Sequence, residues 1–287
     1  MIMIRNTNVL WRVFVCLLLT YLVMPTFAQV DTREQDANEH RKSLQISTGT
    51  EDHDDKLHIY LLIGQSNMAG RAKVPEEMAG VIDRCVLLND RNEWVPAKNP
   101  LNLYSTIRKG EGMQKLGPGY SFAKAMVKAD RDAKIGLIVN ARGGSKIEQW
   151  HVEGKYYTDL LKRANAAAQT GTIKGVLWHQ GESNSNNPDE YLDQLKQLIA
   201  NLRKDLDDED LPFVAGQVTN TPPIKINDVI ADLPEAVSNA AVISSEGLKC
   251  YDRWHFDTES QIELGNRYAK AILKLQASIE KDQKSGP

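Results

Sequence analysis

The sequence predicts an α/β fold, a three-layer α/β/α sandwich on a parallel, flavodoxin-like sheet of about five strands. Two observations predict it. Short apolar runs alternate with helix-like segments from residue 58 onward, and no internal repeat or domain linker interrupts them. A strand followed by a helix and another strand indicates parallel pairing through right-handed crossovers.

Runs rich in aliphatic and β-branched residues predict the strands. They are Ile59 to Ile63, Arg84 to Leu88, Lys134 to Asn140, Gly175 to His179, Phe213 to Thr219, and Ala241 to Ser244. Longer segments with helical patterning predict the helices. They are Gly119 to Ala129, Tyr156 to Gln169, Pro188 to Asp205, Ile224 to Ser238, and Thr258 to Ile279. The stretch from Asn89 to Pro118, rich in Gly, Pro and Asn, is expected to be an irregular insertion that forms a binding wall.

The N-terminal region has the composition of a secretory signal peptide. Arg5 and Arg12 precede an apolar stretch from Val13 to Val23, and Ala28 offers the small residue that a signal peptidase prefers. The apolar stretch is about half of the roughly 20 residues that a membrane-spanning helix needs. We therefore predict a signal peptide over residues 1–28, a secreted or periplasmic protein, and no stable membrane insertion after cleavage. An uncleaved membrane anchor is the alternative.

The remaining chain is predicted to contain one folded domain. Residues 29–56 are polar and charged and cannot bury enough apolar area to offset the entropy of ordering, so they are predicted to be a flexible leader. Residues 57–287 are predicted to be the folded domain.

Composition excludes several functional classes. The chain has 35 basic and 38 acidic residues, with no basic tract or cluster of stacking aromatic residues, so no nucleic-acid partner is expected. It has no zinc-binding or nucleotide-binding motif, so no metal and no cofactor are expected. Cys85 and Cys250 remain after the signal peptide, and both a disulfide and two free thiols are open.

Ser66 follows the first predicted strand, at the end where open parallel sheets bind ligands. A serine hydroxyl is a poor nucleophile until a base takes its proton. His255 is the candidate base, and Asp252 lies three residues earlier, within reach of the imidazole. Ser66 and Asp252 could each instead cap a helix. Together the three residues are a candidate catalytic triad.

Four blocks of sequence resemble a known family. They are G-Q-S-N-M-A-G (Gly64 to Gly70), R-G-G-S-x-I-x-x-W (Arg142 to Trp150), W-H-Q-G-E-S-N (Trp178 to Asn184) and D-x-x-H-F (Asp252 to Phe256). In this order they resemble the SGNH-hydrolase superfamily. They are most similar to its sialate O-acetylesterase domains and to the acetylxylan esterases of carbohydrate esterase family six.

The resemblance implies a secreted serine esterase. Its partner would be an acetylated carbohydrate, of the acetylxylan or sialate type, and hydrolysis would proceed through an acyl-enzyme. A catalytically silent carbohydrate-binding domain, and a lipase or thioesterase of the same superfamily, are the alternatives.

Acyl transfer also needs hydrogen-bond donors where the carbonyl oxygen becomes negative. We predict three sources for this oxyanion hole: the backbone N–H of Ser66, the glycines Gly143 and Gly144, and the side-chain amide of Gln180. The wider superfamily uses an asparagine where this chain has Gln180. The two glycines could instead serve only a tight turn, and which of them donates is left open.

Four further residues are predicted to support the site or bind substrate. Asn67 is expected to fix the serine turn through side-chain bonds to the backbone. Glu182 is expected to buttress the loop of Gln180 or the serine loop, and a role as the acid partner of the histidine is the alternative. Arg142 and Trp150 are expected to face substrate, with Trp150 either a sugar-stacking platform or a core residue.

Overall fold

The computed structural model describes residues 56–219 and 224–285. The predicted signal peptide, and the predicted leader apart from Lys56, lie outside the described residues. The described part of the chain forms a seven-stranded sheet with helices on both faces. This confirms the α/β/α sandwich, with more strands than the sequence indicated.

The strands follow one another across the sheet in the order β3-β2-β4-β1-β5-β6-β7. All neighbours are parallel except β2 and β3. Their bounds are β1 Leu57–Gly64, β2 Cys85–Leu88, β3 Trp94–Pro96, β4 Lys134–Ala141, β5 Thr172–His179, β6 Phe213–Gly216 and β7 Ala240–Ile243. The central strands β4, β1 and β5 end together at the edge where ligands bind in such sheets.

Seven α-helices occur in the described residues. They are α1 Ser66–Ala69, α2 Gly119–Ala129, α3 Lys155–Ala168, α4 Tyr191–Asp205, α5 Ile226–Ala231, α6 Leu233–Ala236 and α7 Thr258–Lys284. Short 3₁₀ turns lie at Glu76–Met78, Glu111–Met113, Ile147–Trp150 and Glu182–Asn184. None of the helices within residues 56–219 and 224–285 combines the length and apolarity that a bilayer span requires.

The central strand β1 is buried on both faces. Ile59 and Leu61 belong to a core that includes residues of α3, α4 and α5. Tyr60 and Leu62 point the other way, into a second core that includes residues of α2 and α7. Successive side chains of a strand point to opposite faces, so one apolar run supplies both cores and holds the end of β1 rigidly.

The structure differs from the sequence prediction at several element bounds. The predicted helix Ile224 to Ser238 is two short helices, because Pro234 lies in the first turn of α6 and cannot continue α5. The insertion from Asn89 to Pro118 contains a short edge strand, β3, which pairs with β2. The thiols of Cys85 and Cys250 are both free, which settles the question of the disulfide.

Candidate active site

A sharp turn at the end of β1 presents Ser66. Gly64 has φ 128°, and a Cβ at this position would lie 2.2 Å from the carbonyl oxygen of His179 in the neighbouring strand β5. That carbonyl accepts a hydrogen bond from the N–H of Gln65 at 2.8 Å. Only glycine fits this close approach with a positive φ, and the chain then begins α1 at Ser66.

Ser66, His255 and Asp252 form a continuous chain of hydrogen bonds. Ser66 Oγ lies 3.1 Å from His255 Nε2, and His255 Nδ1 lies 2.7 Å from Asp252 Oδ2. Asp252 Oδ1 accepts the backbone N–H groups of Trp254 and His255 at 2.8 and 2.7 Å. Desolvation raises the pKa of Asp252, but the hydrogen bonds from His255 and these N–H groups outweigh it and hold the pKa below its usual value.

Asn67 connects the serine turn to the histidine loop. Its Nδ2 donates to Glu182 Oε1 at 2.6 Å and to the carbonyl oxygen of Trp254 at 2.9 Å. Its Oδ1 accepts the N–H of Phe256 at 3.2 Å and Gln261 Nε2 at 3.1 Å. The side chain of Asn67 does bond to backbone, but both backbone partners, Trp254 and Phe256, lie in the histidine loop and not in the serine turn where the prediction placed them.

Glu182 is bonded to Asn67 and not to the histidine ring, whose Nδ1 is bonded to Asp252. Its carboxyl is buried, and burial raises its pKa to about 7. Asn67 is its side-chain partner, and no described residue bonds to Glu182 Oε2. Glu182 therefore buttresses the serine loop in this geometry.

Three residues that line the pocket, Ser66, Gly143 and Gly144, carry backbone N–H groups that could serve as donors. No acceptor within residues 56–219 and 224–285 is bonded to the N–H groups of Ser66, Gly143 or Gly144. A Cβ on Gly143 would lie 2.4 Å from Arg71 Nη2, while Gly144 has φ 74°. Gly143 is thus required for the close approach of a guanidinium, and Gly144 for the turn.

The amide of Gln180 does not reach the pocket, which corrects the prediction that it donates to the oxyanion. Gln180 is fully buried. Its Nε2 carries two hydrogens, and three acceptors already lie within hydrogen-bond distance of it. They are Asn184 Oδ1 at 2.7 Å, the backbone oxygen of Ser145 at 3.0 Å and Gln65 Oε1 at 3.2 Å. Its amide joins the loops that surround the site.

Trp150 is a core residue, which is the second of the two roles that the sequence left open for it. Its side chain is 1% exposed and packs edge-on against Trp178, with ring centroids 5.3 Å apart. Its Nε1 donates to Ser145 Oγ at 3.3 Å. Arg142 is half-buried and is not among the residues that line the pocket at Ser66.

The pocket at Ser66 has a volume of about 280 Å³. It is lined by Gln65, Ser66, Arg71, Lys109, Met113, Gly143, Gly144, Glu182, Ser183, Trp254 and His255. A larger cavity of about 540 Å³ lies at the opposite end of the sheet, away from the serine. The smaller one is the candidate site, because it lies beyond the carboxyl ends of the parallel strands and contains the nucleophile and base.

Sequence reasoning missed six residues of the pocket lining: Arg71, Lys109 and Trp254, together with Gln65, Met113 and Ser183. Arg71 directly follows the block from Gly64 to Gly70, and Trp254 lies inside the block from Asp252 to Phe256. Their closeness in sequence to Ser66 and His255 was therefore a usable signal. Lys109 lies in the insertion that was expected to form a binding wall, but nothing in the pattern distinguishes it from other surface lysines.

Comparisons with known proteins identify the family of this chain. A family profile described as "Carbohydrate esterase, sialic acid-specific acetylesterase" matches residues 56–274. A probable carbohydrate esterase of Arabidopsis thaliana is 31% identical over 244 residues, which cover 75% of this chain and 90% of that protein. An X-ray structure of an Arabidopsis thaliana protein is 30% identical with a TM-score of 0.68, covering 76% of this chain and 98% of that chain.

More distant structures share the fold alone. NanS is 16% identical with a TM-score of 0.63, covering 79% of this chain and 99% of that chain. A carbohydrate acetylesterase from Xanthomonas citri is 20% identical with a TM-score of 0.55, covering 75% of this chain and 55% of that chain. On the extent of the profile match and the identity to the Arabidopsis esterase, the chain belongs to the family of carbohydrate esterases described as sialic acid-specific acetylesterases.

Proposed function

We propose that this carbohydrate esterase is a serine enzyme that removes O-acetyl groups from a sugar through an acyl-enzyme. The observation that carries the proposal is the Ser66–His255–Asp252 chain, with distances of 3.1 and 2.7 Å. A base in contact with a serine hydroxyl, and a carboxylate that orients the base, is the arrangement that activates a nucleophile.

In the first half-reaction, Ser66 Oγ attacks the acetyl carbonyl carbon and passes its proton to His255 Nε2. The carbonyl π electrons move to oxygen, and the tetrahedral intermediate then collapses. The bond to the sugar oxygen breaks, and that oxygen takes the proton from His255. Asp252 keeps the imidazole oriented and stabilises its charged form.

In the second half-reaction, water attacks the acetyl-serine. His255 takes the proton of the water, and the bond between the acyl carbon and Ser66 Oγ breaks. The proton returns to the serine oxygen, and the product leaves as acetic acid, which releases its remaining proton to solvent and becomes acetate. The free N–H groups of Ser66 and Gly143 supply the donors for the oxyanion in both halves.

The lining of the pocket favours a short acyl group on a polar alcohol. Met113 and Trp254 are the large apolar residues of the lining, and most of the others are polar or charged. A lipase or thioesterase needs a continuous apolar groove for its acyl chain. The polar pocket therefore supports the acetylesterase over that alternative.

The positive charge of Lys109 indicates which type of sugar the pocket would bind. Its ammonium lies at the pocket, 3.4 Å from the position of a Cβ on Gly144, and no carboxylate of the described residues lies within 4.0 Å of it. A cation without a partner attracts an acidic ligand. This favours a sialate-type substrate, which bears a carboxylate, over neutral acetylxylan.

The site of action is proposed from the sequence. The signal-like segment over residues 1–28 supports export to the periplasm or the medium. N-terminal sequencing of the exported protein tests this, with a new N-terminus after Ala28 expected.

The central experiment compares wild type with Ser66→Ala on acetylated xylan, O-acetylated sialic acid and 4-nitrophenyl acetate. Acetate release by wild type and its loss in Ser66→Ala, with unchanged circular dichroism, are expected. A fluorophosphonate should label wild type and not the variant. Binding of the sugars without acetate release would instead indicate a silent binding domain, and preference for long-chain esters a lipase.

A further inference from the structure

Arg71 is a buried cation at the nucleophile without a countercharge. The residue is 8% exposed and lines the pocket with Ser66, Gly143 and His255. No carboxylate in residues 56–219 and 224–285 lies within 4.0 Å of its guanidinium. Burying an unpaired charge is expensive, so such a group is retained where it serves a ligand or a reaction.

The guanidinium is held in a fixed orientation. Arg71 Nη1 donates to the carbonyl oxygens of Gly70 at 2.8 Å and Met113 at 2.6 Å. These two bonds use the donors of Nη1 and leave those of Nη2 unbonded. The planar fork of arginine then fixes the direction in which Nη2 points.

Nη2 points toward the serine and the glycine turn. A Cβ built on Gly143 would lie 2.4 Å from Arg71 Nη2 and 3.6 Å from Ser66 Cβ. Arg71 Nη2 and Ser66 Cβ therefore both lie within 3.6 Å of the position that a Cβ on Gly143 would occupy. Because Gly143 has no side chain, this space is open. An acyl group attached to Ser66 and directed at the N–H of Gly143 would bring its carbonyl oxygen into this region.

We propose that Arg71 is a catalytic residue whose Nη2–H donates to the carbonyl oxygen of the acyl group as that oxygen becomes negative. The inference rests on the proposed serine mechanism and adds a charged donor to the N–H groups of Ser66 and Gly143. Arg71 keeps its proton throughout, so it changes no bond of the reaction. It supplies the side-chain contribution to the oxyanion hole that the sequence assigned to Gln180.

The electrostatics support this role. Desolvation lowers the pKa of Arg71, as expected for a guanidinium short of negative charge, and the phenol of Tyr251 only partly offsets the effect. The other charged groups of the pocket are Lys109, which is also a cation, and Glu182, whose partner is Asn67. The oxyanion appears only during the reaction, so Arg71 interacts more strongly with the transition state than with the bound ester.

The test measures kcat and KM for Arg71→Gln and Arg71→Lys on a neutral ester, 4-nitrophenyl acetate, and on an O-acetylated sialic acid. Loss of a single oxyanion donor lowers kcat by about 100-fold or more. We expect this loss for Arg71→Gln on both substrates with little change in KM, and an intermediate loss for Arg71→Lys. Arg131→Gln, an exposed arginine at the other end of the sheet, is the matched control and should retain wild-type kinetics.

A second measurement reports the tetrahedral state without turnover. Methylboronic acid adds to a catalytic serine as a tetrahedral anion, so its inhibition constant should weaken in each Arg71 variant by about the same factor as kcat. This holds for Arg71→Lys even if Arg71→Gln does not fold. Wild-type kcat and boronate inhibition in either variant would overturn the proposal. So would a KM increase confined to the acidic substrate, which would make Arg71 a carboxylate-binding residue. Failure of the proposed function is distinct, because wild type would then release no acetate and Ser66→Ala would match it.

Discussion

Asn67 Nδ2 donates to the carbonyl oxygen of Trp254 at 2.9 Å, so the residue after the nucleophile holds the loop that carries the base. Trp254 precedes His255, and the same Asn67 side chain accepts the N–H of Phe256 on the other side of the histidine. The 3.1 Å contact between Ser66 and His255 is therefore fixed from both loops through one amide. The alignment of the triad depends on a side chain that performs no chemistry.

Asn67→Ala should lower both stability and kcat. The change leaves the buried Glu182 carboxyl and the Trp254 carbonyl without their donor, and a buried polar group without a partner costs roughly 1–3 kcal/mol. We expect a lower midpoint of thermal unfolding, and a fall in kcat of about tenfold or more as His255 loses its alignment. Slower labelling by a fluorophosphonate would confirm that Ser66 is less reactive. Wild-type labelling in a destabilised variant would limit Asn67 to a structural role.

Gly143→Ala should reduce turnover while the protein still folds. The new methyl would meet the end of a flexible side chain, Arg71 Nη2 at 2.4 Å, and no positive φ restricts the position. The guanidinium must move, and with it the proposed donor, so kcat should fall by about tenfold to 100-fold.

Alanine substitutions at two other glycines serve as comparisons for Gly143→Ala. Gly80→Ala is the control, because no atom lies within 4 Å of its added Cβ. Gly64→Ala should instead disrupt folding, because its Cβ would lie 2.2 Å from the backbone oxygen of His179. Equal circular dichroism and unequal kcat for Gly143→Ala and Gly80→Ala would support the assignment, whereas equal kcat would oppose it.

Gln180→Ala should affect stability more than chemistry. The substitution removes the donor to Ser145, Asn184 and Gln65 and opens a small cavity in a region without solvent contact. We expect a drop in the unfolding midpoint, with kcat falling by less than in Arg71→Gln. Steady-state kinetics at a temperature well below both midpoints separate the two effects. A kcat loss of about 100-fold at unchanged KM would restore Gln180 to the oxyanion hole.

The contrast between Gln180 and Arg71 shows where sequence reasoning ends. The strand–helix alternation and the position of Ser66 follow from local patterns, because the carboxyl ends of parallel strands meet at one edge. Asp252 and His255 are identified instead by their D-x-x-H block and its resemblance to a known family. The sequence also places Gln180 after β5, close to that edge. It cannot show that Ser145, Asn184 and Gln65 occupy the amide, because those partners come from other loops. The burial of Trp150 is decided in the same way, by Trp178 on another element.

His179 should make the protein sensitive to acid. It is fully buried, and burial lowers its pKa from 6.5 to about 3. The hydroxyl of Tyr268 donates to the Trp178 carbonyl, so His179 Nδ1 donates its proton to the Tyr268 oxygen. The pKa of His179 is lower in the folded protein than in the unfolded chain, so the unfolded chain binds this proton more tightly. The contribution of neutral His179 to the free energy of unfolding is therefore present above pH 6.5 and is lost as the pH falls toward 3. His179→Asn keeps a donor but does not titrate, so its unfolding free energy should depend less on pH in this range, as urea denaturation at several pH values would show.

Glu182 should have the opposite effect to His179: near neutral pH it should make the free energy of unfolding fall as the pH rises. Burial raises the pKa of its carboxyl from 4.5 to about 7, so the folded protein binds this proton more tightly than the unfolded chain does. The contribution of the protonated Glu182 carboxyl to the free energy of unfolding is fully present below pH 4.5 and is lost as the pH rises through about 7. Each unit of pKa shift corresponds to about 1.4 kcal/mol, so the loss is on the order of 3 kcal/mol.

Glu182→Gln provides the test of that slope. Glutamine has nearly the shape of the neutral acid and can still accept from Asn67, but it carries no titrating proton. The unfolding free energy of wild type should fall relative to the variant between pH 5 and 8, measured by urea denaturation in matched buffers. Glu153→Gln, an exposed position in the described part of the chain, is the control for loss of a carboxylate. If the difference between wild type and Glu182→Gln stays constant across this range, Glu182 is already ionised at its lower end, and burial does not raise its pKa.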